Sequence, residues 1–209
     1  MENQFLTVVI THLLAVISPG PDFALISRQS IKYGRKTSIF TSLGIGFGIL
    51  FHVTYCILGI EILFEKNIYT TILTITCSVY LFYLGLNSIF ISKVKINSNQ
   101  STSPTMKISN YHGFLTGLIT NVLNVKATMF FLSLYAFLEQ EYSDISINAK
   151  LLYGIWMSII TASWFIFLSV FLTNKKFNNL YNKYYMLINK VMGFILIYIA
   201  IKICLNYYK

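Results

Sequence analysis

Long apolar runs separated by short polar loops occupy almost the whole chain. Six runs have about 20 residues or more, enough for a helix rising 1.5 Å per residue to cross about 30 Å of hydrocarbon. We predict membrane segments at residues 4–31, 37–60, 68–91, 113–138 and 151–172, and from about 190 to the end. The pattern therefore predicts an all-α membrane protein with six transmembrane helices.

The first segment is interrupted by the motif Ser18-Pro19-Gly20-Pro21-Asp22. Proline removes a backbone donor and clashes with the preceding turn, so we expect the helix to stop near Ser18. A second helix can begin at once, because Pro21 suits a first turn and Asp22 lies at the positive end of the new dipole. In transporters, such breaks within the membrane mark the substrate site. All five residues of the motif are therefore predicted site residues.

Charges alternate from loop to loop along the chain. Basic residues follow segments one, three and five, whereas acidic residues follow segments two and four. Because lysine and arginine concentrate in cytoplasmic loops, the three basic loops are predicted inside and both termini outside. The net charge of +9 is therefore interpreted as membrane topology and not as a nucleic-acid-binding surface.

Six crossings divide into two sets of three, and the second set must enter the membrane upside down relative to the first. This is the inverted-repeat architecture of secondary transporters. We predict one membrane domain, with a first repeat at 1–91, a cytoplasmic linker at 92–112 and a second repeat at 113–209. The first helix of the second repeat holds Asn121, Asn124 and Lys126. At about 1.5 Å per residue, this cluster and Asp22 can meet in the inner half or middle of the bilayer.

Composition agrees with a membrane protein and limits its chemistry. Of 209 residues, 56% are hydrophobic and 11% charged, against about 45–50% and about 25% in soluble domains. No length remains for a soluble catalytic domain. The three cysteines lie in apolar runs without metal-ligand spacing. The first segment lacks the basic start of a cleavable signal, so we expect it to stay in the mature protein.

Asp22 and Lys126 are charges within predicted membrane segments, where an unpaired charge costs several kcal/mol. Three interpretations stay open. Asp22 caps the restarted helix, or it pairs with Lys126, or the two residues bind the ammonium and carboxylate of a zwitterion. In the third case a half-helix N-terminus can also bind the carboxylate. Pairing and binding are compatible if the substrate competes with the internal pair.

Other polar residues carry weaker signals. His12 and His52 suit proton transfer or metal binding, but without ligand spacing such histidines are more often hydrogen-bonded packing residues. Ser18 and Lys126 have the residue types of a hydrolytic dyad, yet no oxyanion site is evident. We therefore predict no catalytic residue, no metal site and no cofactor.

Several motifs together resemble the LysE/RhtB family of amino-acid exporters. They are Ser18-Pro19-Gly20-Pro21-Asp22 with Arg28, Gly34, Gly44, Gly48, His52 and Gly59, then Tyr80-Leu81-Phe82-Tyr83-Leu84-Gly85, and Gly113-Phe114 followed by Asn124-Val125-Lys126-Ala127. The resemblance covers essentially the whole chain. Val125 replaces the proline of the family's Asn-Pro-Lys-Ala element. We therefore expect segment four to bend less than the family pattern implies.

The resemblance implies a proton-driven exporter of an amino acid or related small metabolite in the cytoplasmic (inner) membrane of a prokaryote. It implies no enzymatic activity, and it makes a homodimer in the bilayer an expected assembly. A metal-ion exporter of a related family and a non-transporting membrane scaffold are the alternatives. The predicted substrate-binding or coupling residues are Ser18, Pro19, Gly20, Pro21, Asp22, Asn121, Asn124 and Lys126.

Overall fold

The computed structural model describes residues 2–18, 20–64, 67–90, 108–142 and 145–173, and scattered positions between 183 and 204. Pro19 and most of the predicted linker lie outside the described residues. All regular structure in the described part is helical, including the scattered positions near the end. The helices are α1 (Glu2–Ile17), α2 (Pro21–Lys32), α3 (Gly34–Phe64), α4 (Asn67–Phe90), α5 (Asn110–Val122), α6 (Val125–Glu141) and α7 (Ile147–Leu172). The all-α prediction is confirmed for these residues.

Two single helices and two bent helix pairs are long and apolar enough to cross a membrane. Gly34–Gly59 of α3 and Ile147–Leu172 are each long and apolar enough to cross a bilayer. The α1/α2 pair bends by 53° and the α5/α6 pair by 56°, and each pair counts as one further span if taken together. The described residues thus contain two to four candidate spans, and the six-span inverted repeat stays a prediction.

The first break lies where the sequence predicts it. Helix α1 ends at Ile17, and α2 begins at Pro21 with Gly20 as its N-cap residue. A proline in the first helical turn loses no hydrogen bond, because that N–H has no partner within the helix. The chain therefore restarts as a helix immediately after the interruption.

The second break divides the segment predicted at 113–138 into two helices. Helix α5 ends at Val122 and α6 begins at Val125, with a bend of 56°. The Asn124 side chain accepts a hydrogen bond of 3.0 Å from the backbone N–H of Lys126. An asparagine N-cap satisfies an exposed donor at a helix start without any proline. The chain therefore breaks here with valine at position 125, and the expected difference from the family's bend stays a prediction.

Glycines bring α3 and α5 into backbone contact. A Cβ atom on Gly44 would lie 2.0 Å from the carbonyl oxygen of Phe114, and one on Gly117 would lie 2.0 Å from that of Thr41. No side chain fits in this space, so small residues permit the close approach that is common between membrane helices. The spacing of Gly44 and Gly48 predicts such a contact, and the structure identifies α5 as the partner.

Two buried apolar clusters lie at different heights along α3 and α7. One includes Ile45 and Phe165 and reaches α2, and the other includes Ile49 and Met157 and reaches α1 and α6. Gly48 of α3 contacts Asn121 at the end of α5. The level of the helix breaks therefore lies between the two clusters.

The connection between α6 and α7 is shorter than predicted. The sequence ends segment four at 138 and begins segment five at 151, but α6 continues to Glu141 and α7 begins at Ile147. The Lys150 ammonium forms an ion pair with Glu139. This pair ties the adjacent ends of the two helices together.

Candidate functional site

Asp22 reaches from the first helix break to the second. Its Oδ2 atom accepts hydrogen bonds from Asn121 Nδ2 at 2.8 Å and from Asn124 Nδ2 at 3.0 Å. Asn121 lies in the last turn of α5, and Asn124 caps α6. The two polar clusters predicted from the sequence therefore come together in one place.

Lys126 makes the reciprocal contact from the second break to the first. Its Nζ donates a hydrogen bond of 2.7 Å to the carbonyl oxygen of Ser18, where the chain leaves α1. The Lys126 side chain lies over Gly20, because a Cβ atom there would be 3.1 Å from Lys126 Cδ. Each break thus supplies a partner for a group of the other break.

Of the three interpretations of Asp22, the structure contradicts capping. Gly20 is the N-cap residue of α2, and the described hydrogen bonds of the Asp22 side chain go to α5 and α6. Asp22 and Lys126 interact electrostatically across the site. Internal pairing and substrate binding both stay compatible with this arrangement.

A cavity lies where the breaks meet. It has about 50 Å³ of water-accessible space. Phe23, Phe130, Phe131 and Phe165 provide much of its apolar wall. Pro21 starts α2 and is not among the lining residues. The lining residues that interrupt this apolar surface are His12, Ser18, Gly20, Asp22, Asn121, Asn124, Lys126 and Thr161.

Four polar atoms of the lining residues have no hydrogen-bond partner within the described part of the chain. They are His12 Nδ1, Ser18 Oγ, Asp22 Oδ1 and Asn121 Oδ1. Buried polar atoms in folded proteins are nearly always hydrogen-bonded, to protein or to ordered water. The arrangement therefore suits a polar ligand. Across the described ranges, no three side chains of His, Cys, Asp or Glu converge as in a metal site.

His52 stabilises the second break through a hydrogen bond to the backbone of Asn121. The ring is completely buried, and its Nε2 donates to the carbonyl oxygen of Asn121 at 2.9 Å, since a carbonyl can only accept. Its Nδ1 accepts from the Tyr55 hydroxyl, and the ring stacks on Phe131 with centroids 5.5 Å apart. A Cβ atom on Gly48 would lie 2.5 Å from Asn121 Oδ1. His52 and Gly48 therefore position Asn121 together.

The sequence does not assign these roles to His52 or to His12. His52 follows Gly48 by four residues, so the two share one helix face. This spacing is the one feature of the sequence that indicates a common role for them. His12 carries no comparable signal. Its Nε2 lies 3.1 Å from Thr161 Oγ1 of α7, and that pairing becomes evident only in the fold.

A family model for LysE type translocators matches residues 13–207, a range that includes both helix breaks. The chain belongs to the LysE type translocator family. The resemblance to LysE/RhtB exporters is thereby confirmed, and with it a multi-pass membrane protein of a transporter family. Export of an amino acid or a small metabolite is supported at that general level.

Several curated proteins are similar to this LysE type translocator. The threonine efflux proteins of Escherichia coli K12 and Salmonella typhimurium LT2 are 29% and 28% identical over 169 residues, which cover 79% of this chain and 80% of each relative. The uncharacterized membrane protein YrhP of Bacillus subtilis is 28% identical over 207 residues, covering 96% of this chain and 98% of the relative. No solved structure shows significant similarity.

Proposed function

We propose that this translocator exports a small neutral amino acid across the prokaryotic cytoplasmic membrane in exchange for protons. One observation carries the proposal. The two helix breaks line a cavity in which a carboxylate and an ammonium lie near each other, beside buried polar atoms that have no hydrogen-bond partner among the described residues. Opposite charges in a small shared space are complementary to a zwitterion.

Each end of the zwitterion has a partner of opposite charge. Asp22 Oδ2 is occupied by two amides, whereas Oδ1 is available to accept from a substrate ammonium. Lys126 and the N-terminal N–H groups of α2 and α6 can bind the carboxylate, because helix N-termini attract anions. The substrate then competes with the interaction between Asp22 and Lys126.

The relatives favour a small substrate. Two of the similar curated proteins are named threonine efflux proteins. We therefore assign the substrate to the small neutral amino acids.

Polar side chains of α2 support a route from the site to the cytoplasm. Ser27, Gln29 and Ser30 are buried, and each has a side-chain oxygen without a partner among the described residues. In the proposed topology α2 runs from the break toward the inner surface. Rocking of one repeat against the other would open this polar path and then close it.

Proton exchange at Asp22 provides the coupling step. In the outward-open state, a proton from outside binds the carboxylate and removes the negative charge that holds the substrate ammonium. The substrate leaves, and the protonated site returns to face the cytoplasm. Loss of the proton there restores the carboxylate for the next substrate.

The test uses purified protein in liposomes loaded with labelled threonine, serine, alanine, valine or lysine. We expect efflux of the small neutral amino acids above that of protein-free vesicles, accelerated by an acidic exterior. Efflux at the control level for every amino acid would contradict the proposal and favour a scaffold. Efflux of a loaded divalent metal ion alone would favour the metal exporter, and cross-linking in the same vesicles tests the expected homodimer.

A further inference from the structure

The cavity has a second polar end, formed by His12 of α1 and Thr161 of α7. Both residues line the cavity, and His12 Nε2 lies 3.1 Å from Thr161 Oγ1. His12 is 0% exposed and Thr161 is 1% exposed. The other ring nitrogen of His12, Nδ1, has no hydrogen-bond partner among the described residues.

Packing alone does not account for His12. Its ring is surrounded by the aromatic rings of Phe130, Phe131 and Trp156, at centroid distances of 6.1, 6.2 and 5.8 Å. The two phenylalanine rings have no hydrogen-bonding group, and the indole N–H of Trp156 does not bond to Nδ1. His52, in contrast, is also fully buried but has both ring nitrogens hydrogen-bonded. Nδ1 of His12 is therefore a polar nitrogen among aromatic rings at the edge of a cavity. A ligand in the cavity can supply the hydrogen-bond partner that it lacks among the described residues.

His12 lines the cavity at a distance from the first helix break. It precedes Ser18 by six residues, which is about 9 Å along the helix axis. Asp22 and Lys126 line the same cavity at the break. A ligand whose ammonium and carboxylate lie at the break can therefore direct its side chain toward His12.

The chemistry of a hydroxyl group fits either protonation pattern of His12. If Thr161 donates to Nε2, then Nδ1 carries a hydrogen and needs an acceptor. If Nε2 donates to Thr161, then Nδ1 needs a donor. A hydroxyl can fill both roles, whereas a methyl group at the same place can fill neither.

We propose that His12, oriented by Thr161, binds the side-chain hydroxyl of the substrate and selects hydroxy amino acids over apolar ones of equal size. This inference rests on the proposed function, in which Asp22 and Lys126 bind the charged groups of the zwitterion. His12 then binds the side chain of the substrate. Sites that hydrogen-bond a substrate hydroxyl reject the analogue lacking it, since the polar group of the protein is then left unpaired.

The test compares threonine with valine, which replaces the hydroxyl by a methyl group. In wild-type vesicles, we expect unlabelled threonine to inhibit efflux of labelled serine about tenfold or more better than valine does, because one buried polar group left unpaired costs about 1–3 kcal/mol. In His12→Phe, the preference for threonine over valine, measured as the ratio of the two efflux rates, should fall about tenfold. Thr161→Val should also lower the preference for threonine over valine, whereas Thr161→Ser should leave this preference unchanged.

His52→Phe is the matched control, because it removes a second buried histidine from the same region. It should lower efflux of threonine and valine by the same factor, since His52 positions Asn121 and does not face the substrate side chain. The amount of each variant in the membrane and its melting temperature in detergent are measured in parallel. The wild-type competition requires no variant, so it tests the inference even if His12→Phe does not fold.

Equal inhibition by threonine and valine in the wild type, or equal loss of both in His12→Phe, would overturn the role of His12. The proposed export function would survive either result. Absence of efflux for every amino acid in the wild type would instead overturn the proposed function.

Discussion

At the level of single side chains, the site is organised by the two oxygens of Asp22. Oδ2 accepts from the amides of Asn121 and Asn124, which fix the orientation of the carboxylate. Oδ1 has no described partner. A carboxylate oriented by neutral amides keeps its charge available, whereas two cationic donors would neutralise it. One oxygen thus holds the carboxylate in place, and the other can bind and release an ammonium group.

Replacing Asp22 by Asn keeps the size of the side chain and removes its charge. We expect Asp22→Asn to lower efflux by about 30-fold or more, because truncating one partner of a buried charge pair costs about 2–5 kcal/mol. The measurement is the initial efflux rate per amount of protein in the membrane. An undiminished rate at normal protein levels would show that Asp22 neither binds substrate nor carries the proton.

Replacing Lys126 by Ala separates the two remaining interpretations of this residue. If Lys126 binds the substrate carboxylate, Lys126→Ala raises the half-saturating substrate concentration while folded protein persists. If Lys126 only pairs within the protein, the loss appears as destabilisation of about 3–5 kcal/mol, as for a broken buried pair. Efflux at several substrate concentrations and the yield of folded protein distinguish the two results.

At the level of helices, the two breaks use different devices for the same purpose. Pro21 starts α2, whereas Asn124 caps α6 through the backbone N–H of Lys126. Both devices leave a helix N-terminus directed at the cavity. A proline is thus one way to build such a break, and its absence at position 125 does not remove the break.

Restoring the family proline is expected to be tolerated. Val125 is the first residue of α6, and Asn124 before it is extended at φ −78° and ψ 101°, a conformation compatible with a following proline. Val125→Pro should therefore preserve efflux and raise stability by about 0.4–1 kcal/mol. Melting temperature and efflux rate check this.

Thr128→Pro is the contrasting variant, because the Thr128 N–H donates to the Asn124 carbonyl at 3.0 Å. It should abolish folding or efflux. Damage from Val125→Pro equal to that from Thr128→Pro would show that the start of α6 is placed differently.

At the level of the whole molecule, the two halves follow the same order along the chain. The broken pair α1/α2 precedes the long helix α3, and the broken pair α5/α6 precedes the long helix α7. The third member of each half also makes a close contact with its counterpart. A Cβ atom on Gly85 of α4 would lie 2.7 Å from the Gly193 carbonyl oxygen in the last segment. This order is the one expected of two repeats.

Orientation in the bilayer is tested with single cysteines in a background where Cys56, Cys77 and Cys204 are replaced by Ala. The positive-inside pattern predicts that Ser98→Cys is cytoplasmic and that Ser143→Cys is outside. A membrane-impermeant maleimide should therefore label only Ser143→Cys in intact cells, and both variants after lysis. Labelling of Ser98→Cys alone in intact cells would reverse the proposed topology.

The sequence by itself determined the features that depend on local chemistry. Apolar runs of spanning length require helices in a bilayer, Pro21 requires a helix restart, and loop charges predict orientation. These features rest on residues close together in the chain. The sequence therefore predicted the membrane class and the first break. Of the eight site residues that it predicted, six line the cavity.

Only the tertiary structure decided which polar groups meet. The second break depends on an asparagine cap, and asparagine is common in positions where it caps nothing, so its sequence signal is weak. The pairing of Asp22 with Asn121, and of His12 with Thr161, joins helices far apart in the chain. Such contacts are set by helix packing, of which the close approach of α3 and α5 at Gly44 and Gly117 is one part. No local pattern contains that information, because it arises when the helices assemble.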